Sequence, residues 1–371
     1  MPNIDKTLVF CYDMNRKRFS SELNPGFDGG LDLSEHAYRN GKTKSIVNTN
    51  IPIATGSDIE PPTPVHYQSY LETVNGKEVE FIVSQPEQDS NGEVIIVHQG
   101  WLNAATSPQS RHQANLLHQT SPEGSTVIMI NSPGVGKSDR LPNAASREIR
   151  DFGSFAAYGE ILKTALTGIL SDFDHTKAIG LSTGGRAIIG IGVANEGLPF
   201  DHTISYDAPG SKDLGGLNGI AEVFLNREKK LDDIYGQANA DPLTIELRKR
   251  SSPRGELYRT LANISMRGAL NQQLIDFPTA MSKPGLAVDL ELATANMHPY
   301  QTVSLLTPEL SMLNDHEKVR QIAEEVSRNT LATLRHVTLY GHSHGFMDAH
   351  TPALVEVIRR NIPDNEMLRA A

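Results

Sequence analysis

Continuous apolar runs, separated by segments with helical spacing, set the layout of this 371-residue chain. The runs predict strands buried on both faces, as in a parallel sheet. They lie at 94–97, 126–134, 177–182, 202–210, 302–307 and 336–341. Helical spacing occurs between them, at 153–170, 184–195 and 316–331. Alternating strands and helices imply right-handed βαβ crossovers and a mostly parallel sheet.

Two stretches of the chain break this alternation. Residues 1–64 are polar and rich in turn signals, so we expect an N-terminal extension there. Asn75-Gly76 then separates two alternating segments, which predicts a β-hairpin. Residues 211–297 lack obvious buried strands and are rich in helix formers, which predicts a helical insertion. The expected core therefore consists of residues 65–210 and 298–371.

The composition narrows the class of protein. Hydrophobic residues make up 38% and charged residues 21% of the chain, which is ordinary for a globular protein. The net charge of −10 argues against nucleic acids and anionic membranes as partners. The one cysteine, Cys11, excludes an intramolecular disulfide and a cysteine-rich zinc site. The apolar run from Leu8 to Cys11 is too short for a signal peptide, and we see no membrane span. We expect a cytoplasmic protein, with secretion after removal of a signal as the alternative.

Gly180-Leu181-Ser182-Thr183-Gly184 matches the pattern G-x-S-x-G between a predicted strand and a predicted helix. In this setting a tight turn projects the serine hydroxyl, and the flanking glycines allow the backbone to approach closely. The five-residue pattern is short and often arises by chance, whereas its position between a strand and a helix favours a catalytic serine. We therefore predict that Ser182 is a nucleophile.

A serine hydroxyl needs a base, and the segment after the last predicted strand offers His342 and His344. Gly345 follows His344 and leaves the imidazole room, so His344 is the preferred base.

The negative oxygen that forms during acyl transfer needs two N–H donors. One is expected from Thr183, the residue after the nucleophile. The other is expected from Gly100 or Trp101, in the turn after the apolar run at 94–97. Trp101, the single tryptophan, either packs in the core or forms a wall of the acyl pocket.

These residues together resemble the α/β-hydrolase superfamily, over 66–210 and 299–362. Residues 131–139 are similar to the family segment D-x-P-G-x-G-x-S, with Asn131 where Asp is common. His98-Gln99-Gly100 resembles the family's H-G-x oxyanion turn with one residue inserted. The resemblance implies an α/β fold with a mostly parallel, eight-stranded sheet flanked by helices. It also implies a Ser–acid–His triad and a helical cap inserted after strand 6.

The resemblance leaves the acid open. The family usually carries it a few residues after the seventh strand, where a strict count arrives at Ser311. Glu309 is the first choice, because it lies two residues earlier. Asp207, at the end of the sixth strand, is the second choice, since some family members carry the acid there. Asp315 is third, because it starts a helical run and suits an N-cap.

Three further patterns suggest other chemistry. Residues 134–138 resemble a phosphate loop, but position 131 is Asn131 where that pattern requires glycine. His342-Ser343-His344 resembles part of a dinuclear metal motif, but the next pattern positions hold Phe346 and Met347, which cannot serve as its ligands. The basic run 248–250 with Arg254 is expected to be a solvated helix face, with recognition of an anionic substrate as the alternative. We expect no cofactor and no metal.

The sequence therefore predicts a serine hydrolase that cleaves a carboxylic ester, or a related acyl bond, of a small to medium organic substrate. Carbon–carbon bond hydrolysis, thioester hydrolysis and acyl transfer use the same machinery and are alternatives. A non-catalytic binding protein with this fold is a further alternative. The identity of the acyl substrate, the oligomeric state and the role of residues 1–60 stay open at this point.

Overall fold

A mixed β-sheet of ten strands runs through the described part of the chain. The computed structural model describes residues 31–51, 66–85, 92–121, 124–223, 264–342, 344 and 351–361. Numbered along the chain, the strands are β1 (Leu31–Arg39), β2 (Lys42–Ile51), β3 (His66–Val74), β4 (Lys77–Gln85), β5 (Glu93–His98), β6 (Thr126–Ile130), β7 (His175–Leu181), β8 (His202–Tyr206), β9 (Thr302–Pro308) and β10 (Thr333–Leu339). Their order across the sheet is β2-β1-β10-β9-β8-β7-β5-β6-β4-β3.

The centre of the sheet is parallel, from β6 through β5, β7, β8 and β9 to β10. The predicted buried strands all lie in this parallel part, as their continuous apolar runs indicated. The predicted hairpin around Asn75-Gly76 is β3 and β4, which extends one edge of the sheet in antiparallel fashion. The mostly parallel α/β architecture is therefore confirmed.

The expected count of eight strands is wrong, because residues 31–51 of the supposed N-terminal extension form a second hairpin. Strand β1 pairs antiparallel with β10 and with β2, so the hairpin extends the other edge of the sheet. Asn40 and Gly41 form its turn with φ of 52° and 69°. Asn-Gly favours such left-handed turns, so this dipeptide was the signal in the sequence.

Helices connect the strands and cover both faces of the sheet. They are α1 (Pro108–Thr120), α2 (Asn143–Phe152), α3 (Ala156–Leu170), α4 (Thr183–Asn195), α5 (Phe277–Met281), α6 (Leu286–Thr294), α7 (His316–Val326) and α8 (Thr351–Asn361). Local chemistry fixes several ends. The Ser107 hydroxyl caps α1 by accepting from the Ser110 N–H, and Gly153 ends α2 in the left-handed region. No helix within the described ranges is long and apolar enough to cross a membrane.

The apolar core has two layers, one on each face of the sheet. On one face α1 and α8 pack on β5, β6 and the neighbouring strands, through residues such as Leu117 and Leu354. On the other face α3, α4 and α6 lie against the sheet, with α4 almost wholly buried. This burial fixes the position of the helix that begins directly after Ser182.

The described parts of the predicted insertion are mostly helical. Residues 216–223 and 264–266 are helical, and a π-helical turn over Gln272–Asp276 leads into α5. Helix α6, at the end of the predicted insertion, packs against α4 in the main core. The stretch 224–263, which includes the basic run 248–250 and Arg254, lies outside the described residues.

Several titratable side chains are buried in the sheet. Lys177 Nζ lies 2.6 Å from Glu93 Oε2, near the amino-terminal ends of β7 and β5. His202 and His336, which are also buried in the sheet, have a pKa lowered to about 3, chiefly because burial disfavours the charged imidazole. Their neutral forms are therefore part of the native structure.

Candidate active site

Ser182 occupies the sharp turn between β7 and α4. Its backbone has φ 55° and ψ −120°, a conformation that is strained for a residue with a β-carbon. Two hydrogen bonds hold it: the Ser182 N–H donates to the Tyr206 carbonyl at 2.7 Å, and the Gly185 N–H donates to the Ser182 carbonyl at 2.9 Å. The surrounding backbone thus keeps Ser182 in the conformation expected of a nucleophile elbow.

The glycines beside Ser182 are required by close backbone contacts. A β-carbon on Gly184 would lie 2.6 Å from the carbonyl oxygen of Gln99 and closer still to that of His98. One on Gly180 would lie 2.6 Å from the Gly185 nitrogen. The elbow therefore packs directly against the turn after β5, which is the segment predicted to supply an oxyanion donor.

His344 pairs with a buried carboxylate from the neighbouring strand. Its Nδ1 lies 2.6 Å from Oδ2 of Asp207, the residue directly after β8. Leu181 and Tyr206 are register partners at the ends of β7 and β8, so Ser182 and Asp207 leave the sheet side by side. Tyr206 also donates a hydrogen bond from its hydroxyl to the His344 carbonyl at 3.3 Å. Asp207 thus contacts His344 and leaves the sheet beside Ser182, at the carboxyl ends of the parallel strands.

The first-ranked acid, Glu309, is not the carboxylate that the structure places on His344. Glu309 lies in the turn after β9, where its Oε2 accepts a hydrogen bond from the Gly341 N–H at 2.8 Å. Asp315 caps α7, accepting from the Lys318 N–H at 3.1 Å. The carboxylate in contact with His344 is therefore that of Asp207, the second choice, and not that of the first choice, Glu309, because the end of β8 and not the turn after β9 faces the imidazole.

Two neutral side chains from the turn after β9 complete the surroundings of Asp207. The Ser311 hydroxyl donates to Oδ2 at 2.6 Å, and Asn314 Nδ2 donates to Oδ1 at 2.7 Å. Asp207 itself is 1% exposed, so these hydrogen bonds replace the water that an ionised carboxylate would otherwise have. Counting along the chain found Ser311 as the usual acid position, whereas nothing in the sequence singled out Asn314.

His98 orders the turn that contains Gly100 and Trp101. Its Nδ1 lies 2.9 Å from the Gln99 carbonyl oxygen, so Nδ1 carries the proton and Nε2 accepts from the Tyr158 hydroxyl, also at 2.9 Å. Burial lowers the pKa of His98 to about 4, despite the opposing hydrogen bond to Gln99. The imidazole of His98 is therefore neutral, and its single tautomer holds the turn through the hydrogen bond to Gln99.

The insertion touches both predicted oxyanion segments. The Trp101 indole donates from Nε1 to the Gln273 carbonyl at 2.6 Å, and the Thr183 hydroxyl donates to Met281 Sδ at 2.8 Å. Gln273 and Met281 belong to the π-helical turn and to α5. Trp101 is half-buried and packs against the larger core layer, so core packing and contact with the insertion coexist.

The loop that resembles a phosphate site surrounds a carboxylate of the protein itself. Glu80 Oε2 accepts from the Lys137 backbone N–H at 2.6 Å and from Asn131 Nδ2 at 2.8 Å. Asn131 Oδ1 in turn accepts from the Ala105 N–H at 2.7 Å. This explains why Asn131 replaces the common Asp, since a second carboxylate here would face Glu80.

His342, the other predicted base candidate, is buried, and its carbonyl accepts from the Leu310 N–H at 2.9 Å.

Comparison with solved structures agrees with this architecture. Bromoperoxidase from Bacillus anthracis matches with a TM-score of 0.53 and 16% identity, over 80% of this chain and 100% of that one. A membrane phospholipase A, described as a bacterial virulence factor, matches with a TM-score of 0.50 and 12% identity, over 82% and 87%. No protein-family model and no curated protein sequence matches the chain. The sheet topology and these likenesses together show that this protein has the α/β-hydrolase fold.

Proposed function

We propose that this protein is a serine hydrolase that cleaves a carboxylic ester, or a related acyl bond, of a small to medium organic substrate through an acyl-enzyme. The observation that carries the proposal is the buried Asp207–His344 pair beside the strained turn of Ser182. Each element of the proposal comes from the carboxyl end of a different strand, where α/β proteins bind their ligands.

His344 is the proposed general base. Because a carboxylate can only accept, the Nδ1 proton of His344 points to Asp207 and Nε2 keeps its lone pair. Nε2 then takes the proton of Ser182 as the hydroxyl attacks the acyl carbon. The imidazolium that forms is stabilised by Asp207 and returns the proton to the leaving group. Water repeats the sequence and releases the acid.

The negative oxygen of the intermediate would be bound at the first turn of α4. The Thr183 N–H begins this helix, where backbone donors and the helix dipole favour negative charge. The second donor would come from Gly100 or Trp101, in the turn that packs on Gly184. The hydrogen bond from His98 to the Gln99 carbonyl stabilises that turn, so the donors are in place before the substrate binds.

Residues 211–297 would serve as a helical cap over this edge of the sheet. Support comes from the described residues of the segment, which are mostly helical and contact Trp101 and Thr183 through Gln273 and Met281. Such a cap excludes bulk water from the site while the substrate is bound. Two parts of the chain depart from the division into extension, core and cap: residues 31–51 form strands β1 and β2 of the sheet, and helix α6 packs against α4 in the core.

The experiment that tests the function combines a fluorophosphonate label with a screen of p-nitrophenyl esters from acetate to decanoate. Ser182→Ala should abolish labelling and lower kcat by about 10³-fold or more, since base and oxyanion donors alone form no acyl-enzyme. Ser45→Ala, at an exposed serine of β2, is the matched control and should behave as the wild type. Equal labelling and ester turnover in Ser182→Ala and wild type would refute the proposal.

A non-catalytic binding protein was the alternative that an uncertain acid favoured. The contact between Asp207 and His344 removes that reason. A wild-type chain that takes no label and cleaves none of the esters would revive it.

A further inference from the structure

Among the described residues, three side chains hydrogen-bond to the carboxylate of Asp207, and the proposed mechanism uses only His344. The other two, Ser311 and Asn314, lie in the turn after β9 and are buried, with 8% and 2% of their surface exposed. Both donate to the carboxylate without bringing a formal charge. Oδ2 is thus shared by two donors, because His344 Nδ1 and the Ser311 hydroxyl each lie 2.6 Å from it.

The direction of the Ser311 hydroxyl is determined by its own neighbours. The backbone N–H groups of Leu313 and Asn314 donate to Ser311 Oγ at 3.2 and 3.1 Å. A hydroxyl has one proton and two lone pairs, and these two amides use the lone pairs. The single O–H of Ser311 is therefore left for Asp207, and it cannot rotate away without losing a buried hydrogen bond.

Asn314 is equally constrained. Its Nδ2 donates to Asp207 Oδ1 at 2.7 Å and to the Ala208 carbonyl at 2.9 Å, while its Oδ1 accepts from the Ser211 N–H at 3.2 Å. Every hydrogen-bonding group of the amide is in use, so the side chain has one orientation. Together the two residues fix both oxygens of the carboxylate.

We propose that Ser311, supported by Asn314, is a positioning residue: it orients the Asp207 carboxylate toward His344 and withdraws part of its charge. The proposal rests on the proposed serine-hydrolase function. The position that usually carries the acid in this fold family then holds a hydroxyl that serves an acid located on the neighbouring strand. Proton transfer at His344 would then depend on Ser311, whose hydroxyl acts through the Asp207 carboxylate.

The loss of the Ser311 hydroxyl should shift the pH profile in one direction. A carboxylate that accepts fewer hydrogen bonds has more charge to offer the imidazolium, so loss of the Ser311 hydroxyl favours the protonated form of His344. The described titratable groups in contact with His344 are Asp207 and Tyr206, both at the end of β8. The acidic limb of the pH profile should therefore move to higher pH.

The test compares Ser311→Ala with Ser311→Thr, which keeps the hydroxyl. In Ser311→Ala we expect kcat/KM to fall about tenfold and the acidic limb to rise by about half a pH unit or more. KM should change little, and Ser311→Thr should stay near wild type. A variant with lower stability but an unshifted limb would show a merely structural role and overturn the proposal. If Ser311→Ala does not fold, Ser311→Cys, a weaker donor of similar size, must show the same shift in smaller measure.

A second measurement separates this proposal from the proposed function. In a Ser182→Ala background, the His344 imidazole is titrated by NMR with and without Ser311→Ala. A titration that moves to higher pH supports the positioning role even if the wild-type chain cleaves no ester. An unchanged titration overturns it even if fluorophosphonate labelling has established Ser182 as the nucleophile.

Discussion

Replacing Asp207 by asparagine changes one atom of a carboxylate that is surrounded by donors. Ser311 donates to Oδ2 and Asn314 donates to Oδ1, at 2.6 and 2.7 Å. An amide has only one oxygen, so one of these donors must face the new NH₂ group. If the NH₂ takes the position of Oδ2, it also donates to Nδ1 of His344 and forces the proton onto Nε2, which can then no longer accept from Ser182.

Two magnitudes follow from this geometry. With the wrong tautomer favoured and the imidazolium no longer paired with a charge, kcat should fall by about 10³–10⁴-fold, or roughly 4–5.5 kcal/mol of the barrier. The unmatched donor in a buried site should also lower the free energy of unfolding by about 1–3 kcal/mol. A loss of stability distinguishes Asp207 from an exposed carboxylate, whose amide would leave stability unchanged.

The assay is hydrolysis of the best p-nitrophenyl ester, together with urea unfolding of the same preparations. Glu309→Gln is the matched control, because its amide oxygen still accepts from the Gly341 N–H, and its kcat should lie within about threefold of wild type. Asp315→Asn should be nearly silent, since Asn caps a helix about as well as Asp.

A kcat of Asp207→Asn close to wild type, with a large loss in Glu309→Gln, would refute the assignment. It would mean that the working enzyme pairs His344 with the turn after β9. Near-normal rates in all three variants would instead indicate a Ser182–His344 dyad without an orienting acid.

Three further predictions concern stability. The free energy of unfolding should decrease as the pH falls from 6.5 toward 3, by up to about 1.4 kcal/mol per pH unit for each of His202 and His336. The sign follows because the unfolded chain binds these protons first, and urea unfolding that is constant from pH 7 to 4.5 would contradict it. Gly184→Ala should lower the free energy of unfolding by about 3 kcal/mol or more, because the new β-carbon would meet backbone oxygens. Gly168→Ala, in open space on α3, should raise the free energy of unfolding by about 0.5–1 kcal/mol, and thermal unfolding measures both variants. Lys177→Met should cost about 3–5 kcal/mol by leaving Glu93 charged and buried, and adding Glu93→Leu should recover most of that loss, whereas failure to recover would show that the pair is not the cause.

The sharp turn at Ser182 was predictable because its signal is local. A β-strand, a turn with glycines and a helix occupy neighbouring residues, so the sequence pattern alone indicates the turn, although Tyr206 and the turn after β5 also hold it. The parallel strands were predictable for a similar reason, since burial on both faces requires an uninterrupted apolar run. The hairpin of β1 and β2 had a local signal too, in Asn40-Gly41, but its polar outer strand hid it in a segment of polar composition.

The carboxylate that contacts His344 was not predictable from the chain by itself. Each of the three candidates, Glu309, Asp207 and Asp315, lies directly after a strand or directly before a helix. Counting residues from the family pattern favoured the turn after β9. Which carboxylate meets His344 depends on how β8, β9 and β10 lie side by side, and residues 207 and 344 are far apart along the chain. The role of Asn314 was hidden for the same reason.

Local order along the chain thus determined the α/β architecture, the turn at Ser182 and the preference for His344, because each depends on residues a few positions apart. The partner of His344, the two donors that hold it, and the extra strands at the sheet edge were decided by the tertiary structure. Their contacts join segments separated by tens to hundreds of residues, and only the packing of the sheet brings those segments within hydrogen-bonding distance.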